Sequence, residues 1–432
     1  MSNQYYLEKP IFDILKHLQN TKIYVAYSGG VDSTVLLYAL KNIIKKYNLY
    51  FDLNAIHVHH GISINSDDWL MHCQNTCINL NINFFSTKID IKDLSKELGI
   101  EGSSRLLRYD FIQNIAKNSP VFLAHHAYDQ LETFILQWQR GSGIDGLAGM
   151  QNYSLKNQTP FYRPFLNINK QDILNYAKEN NLIWIEDESN LDIKYKRNHI
   201  RENILPFIKE YQEPMLRSIQ LLQIQKNVLD NYLNNILLNI LMNSNISEIS
   251  FPKFTDIIEK NYNEGVLLFR HFLRINQLSL PNFKYTNNLL KQILNKQDNI
   301  CMKYQDKYIT LYQNKLSIVN NIYLNKIYTI QKSTEQNILF ILCNNKIIYK
   351  IDANNLDIDK INIIQYNQNL KISLSNRPNK TLKHIFQEQK IPSWNRGLPI
   401  LTYENKIIYY PFFSDKFNNL LTTINLKIKF YE

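Results

Sequence analysis

Ile23-Tyr24-Val25-Ala26-Tyr27 runs directly into Ser28-Gly29-Gly30-Val31-Asp32-Ser33, and apolar residues then recur at helical spacing from Ser33 to Tyr47. This stretch decides the fold. Five apolar or aromatic residues bounded by turn residues read as a buried strand, and the residues from Ser33 onward read as a helix. Two glycines between them let the backbone turn tightly and approach a ligand closely. The free N–H groups of the first helical turn, at the positive end of the helix dipole, make an anion site. Ser28 and Ser33 add hydroxyl donors. Asp32 is the unusual residue, because a carboxylate beside a phosphate cradle repels phosphate unless a cation lies between them. Asp32 is therefore expected to hold Mg²⁺ together with phosphate oxygens. No lysine stands where a Walker A loop requires one, so this is not a kinase-type loop. A plain strand-to-helix turn is the alternative, and the surrounding pattern argues against it.

Outward from this point, strands and helices alternate. Asn54–Val58, Asn83–Lys88 and Val121–Ala124 read as strands, with Asp67–Leu80, Ser103–Lys117 and Asp129–Arg140 as helices. Such alternation predicts a parallel sheet covered on both faces. Ligands bind at the carboxyl ends of the strands in sheets of this kind. Ser28–Ser33, His59–Ile62 and His125–Gln130 all come just after strand ends, so they should gather on one edge. There Asp129 is placed as a cap or first-turn acid. His125 and His126 are candidates for base or phosphate contacts. Arg140, which ends its helix and feeds a Gly-rich loop, could neutralise a triphosphate or a leaving pyrophosphate. Each has an ordinary structural alternative, a capping acid, a core histidine or a helix-end arginine; their convergence is what favours chemistry.

Ser28–Ser33 resembles the PP-loop signature of the ATP pyrophosphatases, which cleave ATP to AMP and pyrophosphate and adenylate an oxygen of their substrate. Within that superfamily the chain is similar to the tRNA(Ile)-lysidine synthetase family. The similarity rests on Leu123–Thr133 with Arg140-Gly141-Ser142-Gly143, and on Ser104-Arg105-Leu106-Leu107-Arg108-Tyr109. Arg163-Pro164-Phe165-Leu166 and Trp184–Asn190 leading to Arg197-Asn198-His199-Ile200-Arg201 also match. Arg377-Pro378, Lys383, Pro392, Arg396 and Leu398-Pro399 look like the family's last domain. Tyr128 departs from the pattern, which usually has an acid before Asp129; Asp129 is then expected to be the essential one of the pair.

The resemblance implies a fold, a reaction and a set of residues. The fold is α/β: a parallel-sheet PP-loop (adenine nucleotide α-hydrolase-like) domain over 1–210, a mainly helical domain with some strands over 211–350, and a small basic α+β domain over 351–432. The reaction joins L-lysine to C2 of the wobble cytidine of an isoleucine tRNA with a CAU anticodon, using ATP and Mg²⁺. Oxygen O2 of the cytosine is first adenylated, and lysine then displaces AMP. The implied nucleotide-binding residues are Ser28, Gly29, Gly30, Val31, Asp32 and Ser33. Asp32, Asp129, His126 and Arg140 are the implied catalytic residues, with Asp32 and Asp129 as metal ligands. Asp129 and Glu132 could hold a second metal or take the proton of the incoming ammonium. Arg105, Arg108, Arg197 and Arg201 are candidates for tRNA or pyrophosphate contacts, the alternative being ion pairs with Glu186, Asp187 and Glu188.

Charge points the same way. The 432-residue chain carries 49 Lys/Arg against 38 Asp/Glu, a net +11. Residues 1–210 balance at 22 of each, so the whole excess lies in 211–432. A basic half suggests an anionic partner, nucleic acid before membrane, although a codon bias toward Lys, Asn and Ile supplies part of it. No run of about 18 apolar residues predicts a membrane span. The start of the chain lacks the basic and apolar regions of a signal peptide. Four cysteines are too few for a disulfide framework, so the reducing cytosol is the expected compartment. The number of metal ions and the oligomeric state, a homodimer included, stay open. A tRNA thiolase is the main rival; it needs a reactive or cluster-binding cysteine near the site, and Cys73 and Cys77 fall on a helix after the second strand. An amidating synthetase and a non-enzymatic RNA-binding protein are weaker rivals.

Overall fold

Alternation along one short strand builds the centre of the molecule. In β1 (Lys22–Ala26), Ile23 and Val25 point into one apolar cluster, and Tyr24 points into another on the opposite face. A strand buried on both sides belongs in the middle of a parallel sheet. The computed structural model describes residues 3–19, 22–59, 65–89, 95–186, 196–295, 299–322, 328–333, 338–343, 346–352, 360–364, 371–372, 380–404, 406–410 and 427–430. Chain contacts divide it into two units, Met1–Leu229 and Asp230–Glu432.

In the first unit the elements run as α1 (Asn3–Leu15), β1, α2 (Val31–Lys46), β2 (Asp52–His59), α3 (Ser66–Asn79), β3 (Asn83–Lys88), α4 (Ser95–Ala116), β4 (Val121–Phe122) and α5 (Ala127–Gln139). Then come α6 (Ile144–Leu147), a hairpin of β5 (Tyr153–Lys156) and β6 (Thr159–Tyr162), α7 (Lys170–Glu179), α8 (Lys196–Asn203) and the start of α9 (Gln212–Ile240). The strand order is β3-β2-β1-β4-β6-β5, parallel except for β5. From β1 the chain runs outward to β2 and β3, then returns to place β4 on the other side of β1. The crevice between the ends of β1 and β4 is therefore the switch point where such sheets bind ligands. On one face, α1, α2, α3 and α7 pack Leu7, Ile11, Leu36, Leu40, Cys73 and Tyr176 against Ile23, Val25 and Phe122. On the other, Tyr109, Ile112 and Ala116 of α4 cover Tyr24, Ile56, Val121 and Leu123. Gly99, at φ +73°, breaks α4 near its start, so the regular helix matches the predicted Ser103–Lys117 closely.

The second unit is antiparallel. Strands β7 (Leu241–Met242), β8 (Asn245–Ser250), β9 (Ile300–Tyr304), β10 (Lys307–Tyr312) and β11 (Lys315–Val319) form one sheet, ordered β7-β8-β11-β10-β9. Between β8 and β9 lie α10 (Phe251–Lys260), α11 (Tyr262–Ile275) and α12 (Phe283–Asn295). Strands β12 (Tyr328–Ser333), β13 (Ile338–Cys343) and β14 (Lys346–Asp352) come next, then β15 (Ile361–Ile364), β16 (Lys371–Ile372), β17 (Lys380–Thr381), α13 (Leu382–Glu388), β18 (Ile400–Tyr403), β19 (Lys406–Tyr409) and β20 (Lys427–Phe430). The middle region, 211–350, sets the helices α9 to α12 beside these strands, as expected of a mainly helical domain with some strands. Its hairpins are set by polar residues that accept positive φ: Gln313 at +49° and Asn314 at +61° form the two-residue turn between β10 and β11. Such a turn matches the twist of the strands it joins. In the last stretch β18 pairs with both β15 and β19, and α13 begins directly after β17.

Candidate active site

The loop after β1 is held open by its own side chains. The Ser28 N–H donates to Ser33 Oγ at 3.2 Å, and the two hydroxyls lie 3.1 Å apart. Ser33 Oγ donates to the Gly30 carbonyl at 3.0 Å, and Thr34 Oγ1 donates to the Gly29 carbonyl at 3.2 Å. Gly30 is the extended residue that starts α2. Gly29 adopts φ +87°, and a Cβ there would lie 2.6 Å from Ile185 Cδ1 and 2.8 Å from Cys73 Sγ. Strain at positive φ and overpacking each cost on the order of 1–3 kcal/mol. Gly29→Ala should therefore lower the thermal unfolding midpoint by at least roughly 4 °C, at about 2–4 °C per kcal/mol for a domain of this size. It should also weaken ATP binding by calorimetry. An unchanged midpoint would show that the loop relaxes freely.

Asp32, second residue of α2, faces the crevice. Lys170 Nζ, on the first residue of α7, donates to both of its carboxylate oxygens, at 2.6 and 2.7 Å. His126 Nε2 lies 3.6 Å from Asp32 Oδ1, while Nδ1 of the same ring lies 3.7 Å from Asp129 Oδ2. The imidazole thus stands between the two acids. Asp129 caps α5, as its position predicts: its Oδ2 accepts from the His126 backbone N–H at 2.9 Å. Its Oδ1 accepts from Arg201 Nη2 at 3.2 Å. Tyr128, beside it, packs into the apolar cluster of α5 and α8, so Asp129 is the acid aimed at the crevice.

Arg201 comes from α8, which Ile200 anchors against Leu131 and Ile135 of α5. Its guanidinium also grips Glu132, through Nε to Oε1 and through Nη2 to Oε2 at 3.3 Å. Glu132 is fully buried. Burial, reinforced by the neighbouring Asp129 charge and only partly relieved by Arg201, pushes its carboxyl up to about 7. Burial alone would raise Asp129 too. The His126 and His125 rings, the His126 N–H and Arg201 outweigh it and hold Asp129 below the usual carboxylate range. Burial and the neighbouring charges thus push the acidities of these two carboxyls apart. His125 is different: burial, with Arg163, Arg108 and Arg105 nearby, lowers it to about 3. It is neutral near pH 7 and cannot serve as a cation for phosphate.

Several sequence expectations change here. Arg140 is exposed at the far end of α5, about 16 Å along the helix from Asp129. Most of the length of α5 separates the two, so it does not join Asp32 and Asp129. Arg201 pairs with Glu132 and Asp129, a partner set that neither expectation for it contained. Arg197 lies close enough to lower Glu132 slightly. Arg105 sits over the Tyr109 ring at 5.4 Å, and Lys156 stands over the same ring at 4.1 Å. Arg108, on the same helix, adds to the charge felt by His125. Arg163 is buried, donating to the Gln151 carbonyl and Ser154 Oγ at 3.0 Å each, so it braces the β5–β6 hairpin. Ile185 N–H donates to the Gly29 carbonyl at 2.9 Å, tying the Trp184–Glu186 stretch to the loop. Residues 60–62, 187–190, 353–359 and 377–378, including the predicted Asp187 and Glu188 partners, lie outside the described residues. Sequence reasoning missed Lys170. Its signal was Asn169 before Ile173, Tyr176 and Ala177, the start of an amphipathic helix.

Cys73 is nearer the loop than its place in the sequence implied, packed behind Gly29. Burial pushes the Cys73 and Cys77 thiols up to about 12, and neither is exposed. Such thiols are inert. This removes the chemistry a thiolase would need from them.

Asp32 fits a Mg²⁺ ligand: a part-exposed carboxylate beside a phosphate cradle is the kind of single protein donor Mg²⁺ takes with phosphates and water. No group of three or more His, Cys, Asp or Glu suited to a metal occurs among the described residues. The His126 ring stands between Asp32 and Asp129, so the two acids do not share one cation in this arrangement.

A serine- and glycine-lined loop at the switch point of a parallel sheet, carrying an acid and no Walker lysine, defines a PP-loop nucleotide enzyme. The model of the PP-loop domain matches residues 4–208, and that of the TilS substrate C-terminal domain matches 363–411. The chain is 34% identical over 414 residues to the tRNA(Ile)-lysidine synthase of Buchnera aphidicola subsp. Baizongia pistaciae, covering 92% of each chain. It is 31% identical to that of Histophilus somni strain 2336, covering 91% of this chain and 97% of the relative. The chain belongs to the tRNA(Ile)-lysidine synthase family. The U34-tRNA thiolase NcsA of Methanococcus maripaludis matches at 17% identity and a TM-score of 0.41, over 51% of this chain and 80% of that one. No helix among the described residues is long and apolar enough to cross a membrane.

Proposed function

We propose that this chain ligates L-lysine to C2 of the wobble cytidine of an isoleucine tRNA with a CAU anticodon, releasing AMP and pyrophosphate. The observation that carries this reading is the Asp129–Glu132–Arg201 cluster beside the PP-loop, in a chain similar to tRNA(Ile)-lysidine synthases over nearly its whole length. The cytosine O2 is a poor leaving group; attack of that oxygen on the α-phosphate of ATP converts it to an adenylate. The lysine ε-amine then attacks C2 and AMP departs. Mg²⁺, when bound, supplies positive charge for the phosphates, with Asp32 as its protein ligand.

The residues divide the work. The Ser28–Ser33 loop and the first turn of α2 cradle the phosphates. Asp129, kept ionised, attracts the lysine ammonium. Glu132, poised near neutrality, takes the proton that the ammonium must lose before it can attack. Arg201 holds both acids in register, and His126 spans the gap between Asp129 and Asp32. Arg140, exposed at the far end of α5, joins Arg105 and Arg108 as a candidate for the tRNA backbone. The base must leave the anticodon stack to reach the crevice. The basic residues of 211–432 are suited to holding the rest of the tRNA, and four cysteines in so long a chain fit work in a reducing cytosol.

The test is mass spectrometry of nucleosides from the tRNA after incubation with ATP and isotopically labelled lysine. One labelled lysyl adduct at the anticodon cytidine is expected, with one pyrophosphate released per adduct. Sulfur incorporation, or pyrophosphate release without an adduct, would overturn the reading.

A further inference from the structure

Asp32 and Lys170 are 138 residues apart and meet in a two-pronged contact, 2.6 and 2.7 Å, at the mouth of the crevice. Lys170 is the first residue of α7, and Asp32 is the second residue of α2. A cation at a helix N-terminus opposes the helix dipole, whereas an acid there is favoured. Lys170 is therefore held at an unfavourable position by its anionic partner. α2 and α7 pack through one apolar cluster that includes Leu36, Leu40, Ile173 and Tyr176, which fixes both helix starts beside the same crevice.

Of the other basic side chains the described residues place at this corner, Arg201 is engaged by Glu132 and Asp129, and the His126 ring stands between Asp32 and Asp129. Lys170 is about a third exposed and sits on a flexible four-carbon stem, so its ammonium can turn without moving backbone. A divalent cation on Asp32 would compete for the same two oxygens that Lys170 holds. Once displaced, Lys170 would face phosphate oxygens from the start of α7.

We propose that Lys170 is an exchangeable counterion. It neutralises Asp32 while no nucleotide is bound, and it transfers to the β- and γ-phosphate oxygens when a divalent cation takes Asp32. It is thus a binding residue for the leaving pyrophosphate. This rests on the reading of Asp32 as the acid of an ATP site and needs neither tRNA nor lysine. The exchange makes two effects of opposite sign. Removing the ammonium should free Asp32 for a cation and at the same time strip one charge from the phosphate cradle.

The experiment uses the full chain, with Mn²⁺ alone followed by electron paramagnetic resonance, and with ATP at saturating Mn²⁺ followed by calorimetry. Lys170→Gln is expected to bind Mn²⁺ alone several-fold more tightly, and to bind ATP roughly tenfold more weakly, about 1.4 kcal/mol. Lys170→Arg, which keeps the charge, is expected to hold ATP nearly as well as the native chain. A structural role would weaken both ligands together. Parallel weakening, no change in either, or a Lys170→Arg variant as weak as Lys170→Gln overturns the proposal. A native chain that makes no lysyl adduct yet shows the opposed shifts would sink the proposed function and leave the exchange standing.

Discussion

Asp32→Ala is expected to abolish turnover, with a loss of at least ~10³-fold in pyrophosphate release measured with tRNA, lysine and ATP. Asp32 is the acid among Ser28–Ser33. Phosphoryl-type chemistry depends mainly on positioning and charge neutralisation, and removing one preorganised group of this kind costs about 10²–10³ in rate. Here one carboxylate anchors the cation that neutralises the phosphates, so the upper end applies. Stability should barely change. The Lys170–Asp32 pair is nearly a third exposed on both sides, and pairs so exposed contribute about 0–1 kcal/mol. Circular dichroism and the unfolding midpoint should match those of the native chain. A folded Asp32→Ala variant that retained turnover would remove Asp32 from the mechanism.

Glu132→Gln is expected to lower kcat/KM for lysine by about 10²–10⁴-fold, the usual contribution of a positioned proton acceptor. Its pH profile is the more specific readout. With its carboxyl near 7, native Glu132 is ionised and able to accept a proton only above that value. The native rate should fall as pH drops through about 7, and the Gln variant should lack that limb. Folding stability should respond in the opposite sense. The folded-state value lies above the ordinary 4.5 of a glutamate, so folding favours the protonated form. Its contribution is present below about 4.5 and is lost as pH rises through about 7. Urea midpoints across that window should therefore fall less in Glu132→Gln than in the native chain. Identical pH profiles for native and variant would show that the proton goes elsewhere.

Arg201 carries a related lesson about what the sequence could convey. Its α8 motif was legible, and so was the choice between ligand contacts and ion pairs. The partner was not, because Glu186, Asp187 and Glu188 are nearer in sequence than Glu132 and Asp129. Packing of Ile200 against Leu131 and Ile135 swings Arg201 onto α5, and no local pattern encodes that docking. Arg140 shows the reverse error. It is close to Asp129 in the motif, yet a helix moves the chain about 1.5 Å per residue and carries it out of reach. Cys73, distant by motif, lies behind Gly29 because α3 packs into the same apolar cluster as β1 and α2.

Local chemistry was enough to specify the strand at Ile23–Tyr27, the glycine turn, the acid at its tip and the helix beyond it. Each depends on neighbours within a few residues: buried apolar alternation, positive φ at Gly29, and free N–H groups at a helix start. The parallel sheet came from repetition of that unit, and the basic excess of the second half from composition alone. Tertiary structure decided which charges meet. It brought Lys170 from α7 to Asp32 and Arg201 from α8 to Glu132, and it set the His126 ring between two acids. Those encounters span long stretches of chain and depend on how helices seat on a shared core. It is burial in that core that separates the acidities of Asp129 and Glu132, giving two similar side chains different work.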